Sequence, residues 1–184
     1  MSNSLLSRKR DLVYFVHFLF ALPLMFRKFL STSSWVVVID LQVIYDPSLV
    51  PAFLKKAKDF YVERYNDQFF INSPPFFKLF VWSEVFVQAP VMLWSLGGLY
   101  RIRANNGEDS PNVPLIIFPF ALVVFITTLT CMVEFLNWDI SWYEKFNLTT
   151  LYGPYLILST LMGVDMFFRL KKMTEIKVQQ KKCV

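Results

Sequence analysis

One carboxylate constrains this chain more than any other feature: Glu84, inside the segment PPFFKLFVWSEVFVQAP at residues 74–90. Apart from Glu84 itself and Lys78 the segment is apolar, aromatic or uncharged, and with the residues that follow it is long enough to cross a bilayer as a helix. An ionisable group in hydrocarbon is costly, so it needs a partner or a role. Gln88 lies four residues on and falls on the same helical face. Pro90 has no N–H, which frees a backbone carbonyl on the preceding turn and favours a kink there. Acid, amide and open carbonyl together make a polar patch on an apolar helix.

The rest of the composition agrees with a membrane setting. Of 184 residues 55% are hydrophobic, and 20 are Phe, more than one soluble core of this size would bury. Five Trp and eight Tyr supply side chains suited to the headgroup level. A net charge of +5 raises nucleic acid as a partner, but Lys and Arg gather at the N-terminus, at Arg101 and Arg103, and in the C-terminal tail. That distribution suits cytoplasmic membrane faces and argues against nucleic acid. Two cysteines, Cys131 and Cys183, provide neither a disulfide framework nor a metal site, and no cofactor is implied.

Along the chain, a basic start precedes an apolar run at residues 12–26 that ends at Arg27 and Lys28. A signal peptide has this shape, yet no small-residue cleavage site follows directly, so an uncleaved first span is the reading preferred. Residues 50–65 alternate apolar and charged at helical spacing and predict a short amphipathic helix lying on the membrane or capping the bundle. Asn72-Ser73-Pro74-Pro75 is a start signal for the second span, expected from about residue 76 to 100. The third span is expected at 113–136 and the fourth at 149–170, with an aromatic, acidic loop at 138–146 between them. Thr127, Thr128 and Thr130 are expected to bond to their own helix. Asn147-Leu148-Thr149 has the pattern of a glycosylation sequon, expected to be unused beside a span. The fold class predicted is all-α, an integral membrane four-helix bundle over residues 1–170 with a basic cytosolic tail at 171–184. Alternation of four spans puts both termini in the cytosol. Lys181 and Lys182 resemble a dilysine retrieval signal of endoplasmic reticulum membrane proteins, the plain alternative being attraction to anionic lipid.

Asp40-Leu41-Gln42, then Pro74-Pro75 with Phe77-Lys78, then Glu84 to Pro90 as E-x-F-x-Q-x-P, then Tyr152-Gly153-Pro154-Tyr155, follow one another in an order that resembles the sigma-2 receptor (transmembrane protein 97) family of the EXPERA group. Most of the chain is covered. The resemblance implies an endoplasmic reticulum protein whose bundle holds a pocket for sterols and cationic amphiphilic amines, with a role in sterol homeostasis and trafficking. It implies that Asp40 pairs with the ligand amine, that Glu84 hydrogen-bonds that aspartate with Gln88 one turn on, that Asp67 is a structural acid, and that Leu151, Tyr152 and Tyr155 line the pocket. Where the family carries His-Ile-Pro just before its D-L-Q motif, this chain has Ala21-Leu22-Pro23 and a longer stretch, with Arg27 and Lys28, before Asp40.

The chemistry of such a site is simple. Two carboxylates in an apolar bundle cannot both ionise cheaply, so one holds a proton and donates a hydrogen bond to the other, leaving a single charge for a cation. Aromatic side chains then cover the body of an amphiphile. The plainer alternative is that Glu84 bonds a neighbouring helix and Asp40 caps one at the interface. A second function class is a sterol delta-8, delta-7 isomerase, which needs an acid, a base and stabilisation of a cation. His17 is the chain's one histidine, and the residue four before Glu84 is Phe80, so the His and Glu pair of the isomerase branch is missing. Binding without catalysis is therefore the reading favoured. A third class is a regulator or chaperone of another membrane protein, for which the resemblance suggests the Niemann-Pick type C cholesterol transporter. Membrane lipids are partners on any reading, and a second copy of the chain, as a homodimer, leaves no mark in the sequence.

Overall fold

The computed structural model describes residues 9–26, 43–44, 50, 52–101 and 112–182, and among them there is no strand. Helix α1 spans Lys9–Phe26, α2 Ala52–Tyr65, α3 Gln68–Asn72, α4 Pro75–Ser83, α5 Ala89–Arg101, α6 Asn112–Leu136 and α7 Trp142–Lys182. A π-helical turn, Glu84–Gln88, joins α4 to α5. Three continuous helical stretches among the described residues are long and apolar enough to cross a membrane: Pro75–Tyr100, Asn112–Leu136 and Trp142–Ile176. In hydrocarbon, a helix satisfies its backbone internally, which is why apolar runs of this length fold this way.

The local signals explain the boundaries. Pro74 is extended (φ −62°, ψ 151°) and Pro75 opens α4, where a missing N–H costs nothing. Ahead of it, the short α3 is capped by Asp67, whose Oδ1 accepts from the Phe69 N–H at 3.0 Å, and closes on Ser73 at φ 44°. Helix α7 starts at Trp142, earlier than the expected span at 149, so part of the expected loop is helical. The reason is a capping box: the Ser141 N–H donates to Glu144 Oε2 at 2.8 Å and the Glu144 N–H to Ser141 Oγ at 3.3 Å. At its other end α7 continues without a break through residue 170 to Lys182, so helix and basic tail are one element.

Two apolar layers hold the helices together. One is Tyr14 and Phe18 of α1, Met92 and Leu99 of α5, Val113, Ile117 and Phe120 of α6, and Met162 and Met166 of α7. The other is Phe69 and Phe70 of α3, Phe77 and Val81 of α4, Cys131 and Phe135 of α6, and Leu148 of α7. Helices α6 and α7 make the most extensive pairing. Lipid tails are as apolar as the side chains, so close approach matters more than hydrophobicity here. A Cβ placed on Gly98 of α5 would lie 3.1 Å from Val113 Cγ2, which shows how near α5 and α6 come at that point.

Beyond the first layer an ionic clasp ties the start of α1 to the second half of α7. Arg169 pairs with Asp11 at 2.6 Å and with Asp165 at 2.8 Å, and Arg10 pairs with Asp165 from the outside. Both aspartates are buried. Two acids and two arginines leave the cluster neutral, which is what lets it sit against the apolar layer.

Candidate functional site

Between the two apolar layers lies a band in which polar side chains recur on each of the three long helices. In the second crossing the layers stop at Val81 and resume at Met92, and the interval contains Ser83, Glu84 and Gln88. On α6 the gap from Ala121 to Cys131 holds Thr127, Thr128 and Thr130; on α7 the gap from Leu148 to Met162 holds Tyr155 and Ser159, while Tyr152 packs on the lower layer. Thr127 and Thr130 donate to carbonyls one turn back, at 3.0 Å to Val123 and 2.8 Å to Ile126, as expected of hydroxyls in apolar helices.

The π turn is the distinctive element of this band. The Ala89 N–H reaches back to the Glu84 carbonyl, five residues away. Pro90 stands one residue further on, and its missing N–H and bulky ring are what an α-helical register could not absorb; the widened turn takes up the difference. The register of side chains changes with it. Gln88 is buried and its Nε2 donates to Ser83 Oγ at 3.3 Å, across five residues, while Ser83 Oγ donates to the Phe80 carbonyl at 2.8 Å. The sequence spacing placed Gln88 over Glu84 as in a regular helix; the side chain it reaches is Ser83. Glu84 itself is half-buried at the head of the turn.

The other residues singled out from sequence fall in two groups. Asp40 lies outside the described residues. Leu151 and Tyr152 are half-buried on α7, and Tyr155 is exposed, its ring edge-on to His17 of α1 at 6.3 Å. Asp67 is fully buried at the foot of the bundle, taking hydrogen bonds from the Tyr61 hydroxyl at 2.9 Å and the Tyr152 hydroxyl at 3.2 Å on one oxygen, and from the Phe69 N–H on the other. Burial pushes its carboxyl above the usual aspartate range, and those three donors oppose the rise without cancelling it. Asp67 thus links α2, α3 and α7. Lys182 is the last residue of α7. Sequence reasoning missed Ser83 and Ser159; the first adjoins Glu84 and is a weak signal, while the second has none beyond lying on the inward side of a long helix.

What this arrangement can do chemically follows from its depth. A half-buried carboxylate and a buried amide on one turn of an apolar helix can hold a polar or cationic group. Among the described residues no cluster of His, Cys, Asp and Glu is placed to hold a metal.

Comparison with known proteins adds two findings. Residues 53–166 match the model of the family described as EXPERA, the expanded EBP superfamily. The chain is similar to the Sigma intracellular receptor 2 of Xenopus tropicalis, at 24% identity over 160 residues that cover 83% of this chain and 91% of that protein.

Proposed function

Because this chain belongs to the EXPERA family, we propose that it is a sterol-related membrane protein that binds sterols or cationic amphiphilic amines in the polar band between its two apolar layers. Glu84 and Asp40 are the acids of that site, Gln88 orients its polar wall, and Leu151, Tyr152 and Tyr155 cover the ligand's apolar body. The observation that carries the reading is Glu84 at the head of a π turn in a membrane-crossing stretch, with Gln88 buried on the same turn. Such turns recur at functional sites, and intramembrane acids are functional by default.

The bundle has four spans on this reading, α1 being the first, and resides in the endoplasmic reticulum membrane with both termini cytosolic and Lys181 and Lys182 as a retrieval signal. Its role is in sterol homeostasis and trafficking, by binding rather than catalysis. Equilibrium binding of a radiolabelled cationic amphiphile and of a labelled hydroxysterol to the purified protein tests it. Both Asp40→Asn and Glu84→Gln should lose amine binding while the protein stays folded. Unchanged binding in both variants would remove the paired-acid site. Turnover of a sterol alkene by the wild type would move the protein to the isomerase class instead.

A further inference from the structure

Helix α2 is amphipathic in a way that its packing leaves unexplained. One side is committed to the bundle: Ala57 is buried, Tyr61 meets Phe70 edge-on and Tyr65 at a tilt and bonds to Asp67, and Val62 packs on the lower apolar layer. A second, separate line runs along its outside. Phe53, Lys56, Phe60 and Arg64 are spaced three, four and four residues apart, the interval that aligns side chains on a helix, and all four are exposed. Phe60 keeps 68% of its surface open and Phe53 44%. The stripe thus alternates aromatic and cationic groups.

The level of this stripe is set by where α2 is fastened. Asn66 donates to Glu144 at 3.0 Å and Tyr152 to Asp67 at 3.2 Å, so α2 is docked against the first turns of α7. Those turns carry their own exposed aromatics, Trp142, Tyr143 and Phe146, with the Lys145 ammonium 5.4 Å from the Trp142 ring centre. Aromatics with snorkelling cations mark the membrane–water boundary. From Glu144 to Asp165, where the ionic clasp begins, α7 runs 21 residues, which is about 32 Å of helix against a hydrocarbon thickness of about 30 Å. The clasp and the aromatic collar therefore sit one bilayer apart.

We propose that α2 is an interfacial helix, its Phe53–Phe60 edge sunk into the headgroup layer of the same bilayer the long helices cross, on the side opposite the clasp. The phenyl rings enter the headgroup–acyl boundary, while Lys56 and Arg64 reach phospholipid phosphates beside them. This fixes how deep the lower apolar layer lies, and it is independent of what the polar band binds.

The test is spin-label accessibility on the full chain in phosphatidylcholine liposomes, in a Cys131→Ser, Cys183→Ser background. Labels at Phe53→Cys and Phe60→Cys are compared with one at Asp59→Cys, which is exposed but off the stripe. The expected result is several-fold higher oxygen-to-nickel-chelate accessibility at 53 and 60 than at 59. Equal, chelate-accessible signals at all three positions would overturn the proposal and put the stripe in water. Two stripe positions guard against one label disturbing the fold, and retained thermal unfolding confirms it in each variant.

Discussion

Removing Arg169 is the sharpest perturbation the structure offers. Its guanidinium, 16% exposed, reaches Asp11 at 2.6 Å and Asp165 at 2.8 Å, and both acids are nearly sealed from solvent. Arg10 also meets Asp165, but its side chain is 76% exposed. Taking away one partner of a buried pair typically costs 3–5 kcal/mol, whereas an exposed pair contributes roughly 0–1 kcal/mol. Arg169→Met is therefore expected to cost about 3–5 kcal/mol, and Arg10→Met under about 1 kcal/mol. A second comparison isolates the cause. Neutralising the acids as well, in the triple variant Asp11→Asn, Asp165→Asn, Arg169→Met, should recover most of the loss, because the penalty arises from stranded charge more than from lost attraction. The assay is reversible unfolding in mixed micelles, followed by tryptophan fluorescence. Equal costs for Arg169→Met and Arg10→Met, or no recovery in the triple variant, would refute the assignment of Arg169 as the hub.

Two further perturbations separate stability from binding. Pro90→Ala restores an N–H and should let the Glu84–Gln88 turn relax to a regular α-helix; thermal stability should rise while amphiphile binding falls, and a variant that gains stability with unchanged affinity would show that the π turn is dispensable to the site. Asp67 carries a pH signature. Its folded carboxyl titrates above the usual value, so between the unfolded and folded values the folded state holds more protons than the unfolded one. Stability should accordingly fall as pH rises from about 4 through the folded value, and then level off. Asp67→Asn should abolish that component, read as the difference between wild-type and variant unfolding midpoints across pH 4–7; parallel profiles would contradict the burial-driven rise.

The parts of this fold legible from sequence were those that depend on neighbours along the chain. Hydropathy located the long helices, and Pro74-Pro75 fixed the start of the second crossing because proline acts on its own residue and the one before it. The amphipathic spacing of residues 50–65 foretold α2. Ser141-x-x-Glu144 was a readable capping box that the aromatic surroundings disguised as loop. The π turn was half legible: Pro90 signalled a disturbed backbone, but a kink and a widened turn both relieve it, and only packing on either side decides between them. The clasp was illegible. Asp165 and Arg169 announce themselves four residues apart, yet their partner Asp11 stands 158 residues from Arg169, and nothing local connects them.

The depth of Glu84 joins these elements. It lies nine residues past Pro75, about 14 Å along a helix, which is close to the middle of a hydrocarbon core of about 30 Å. That is where an acidic side chain is costliest, about 2.5–3.5 kcal/mol even on the mildest scale. Had the collar and the clasp let the bundle slide along the membrane normal, the acid would settle toward an interface and lose the low-dielectric setting that strengthens its attraction for an ammonium group. With α2 interfacial as proposed, anchors at both faces prevent this: buried ion pairs at one boundary, and at the other the exposed Trp142, Tyr143 and Phe146 together with Phe53 and Phe60 of α2. Loosening either anchor should therefore weaken ligand binding even though neither touches the polar band. Phe53→Ser with Phe60→Ser is the variant that tests this, since both rings are exposed and their loss opens no cavity in the core. A fall in amphiphile affinity with an unchanged unfolding midpoint in detergent would tie the depth of the bundle to its binding; full affinity in liposomes would show that the long helices hold their depth alone.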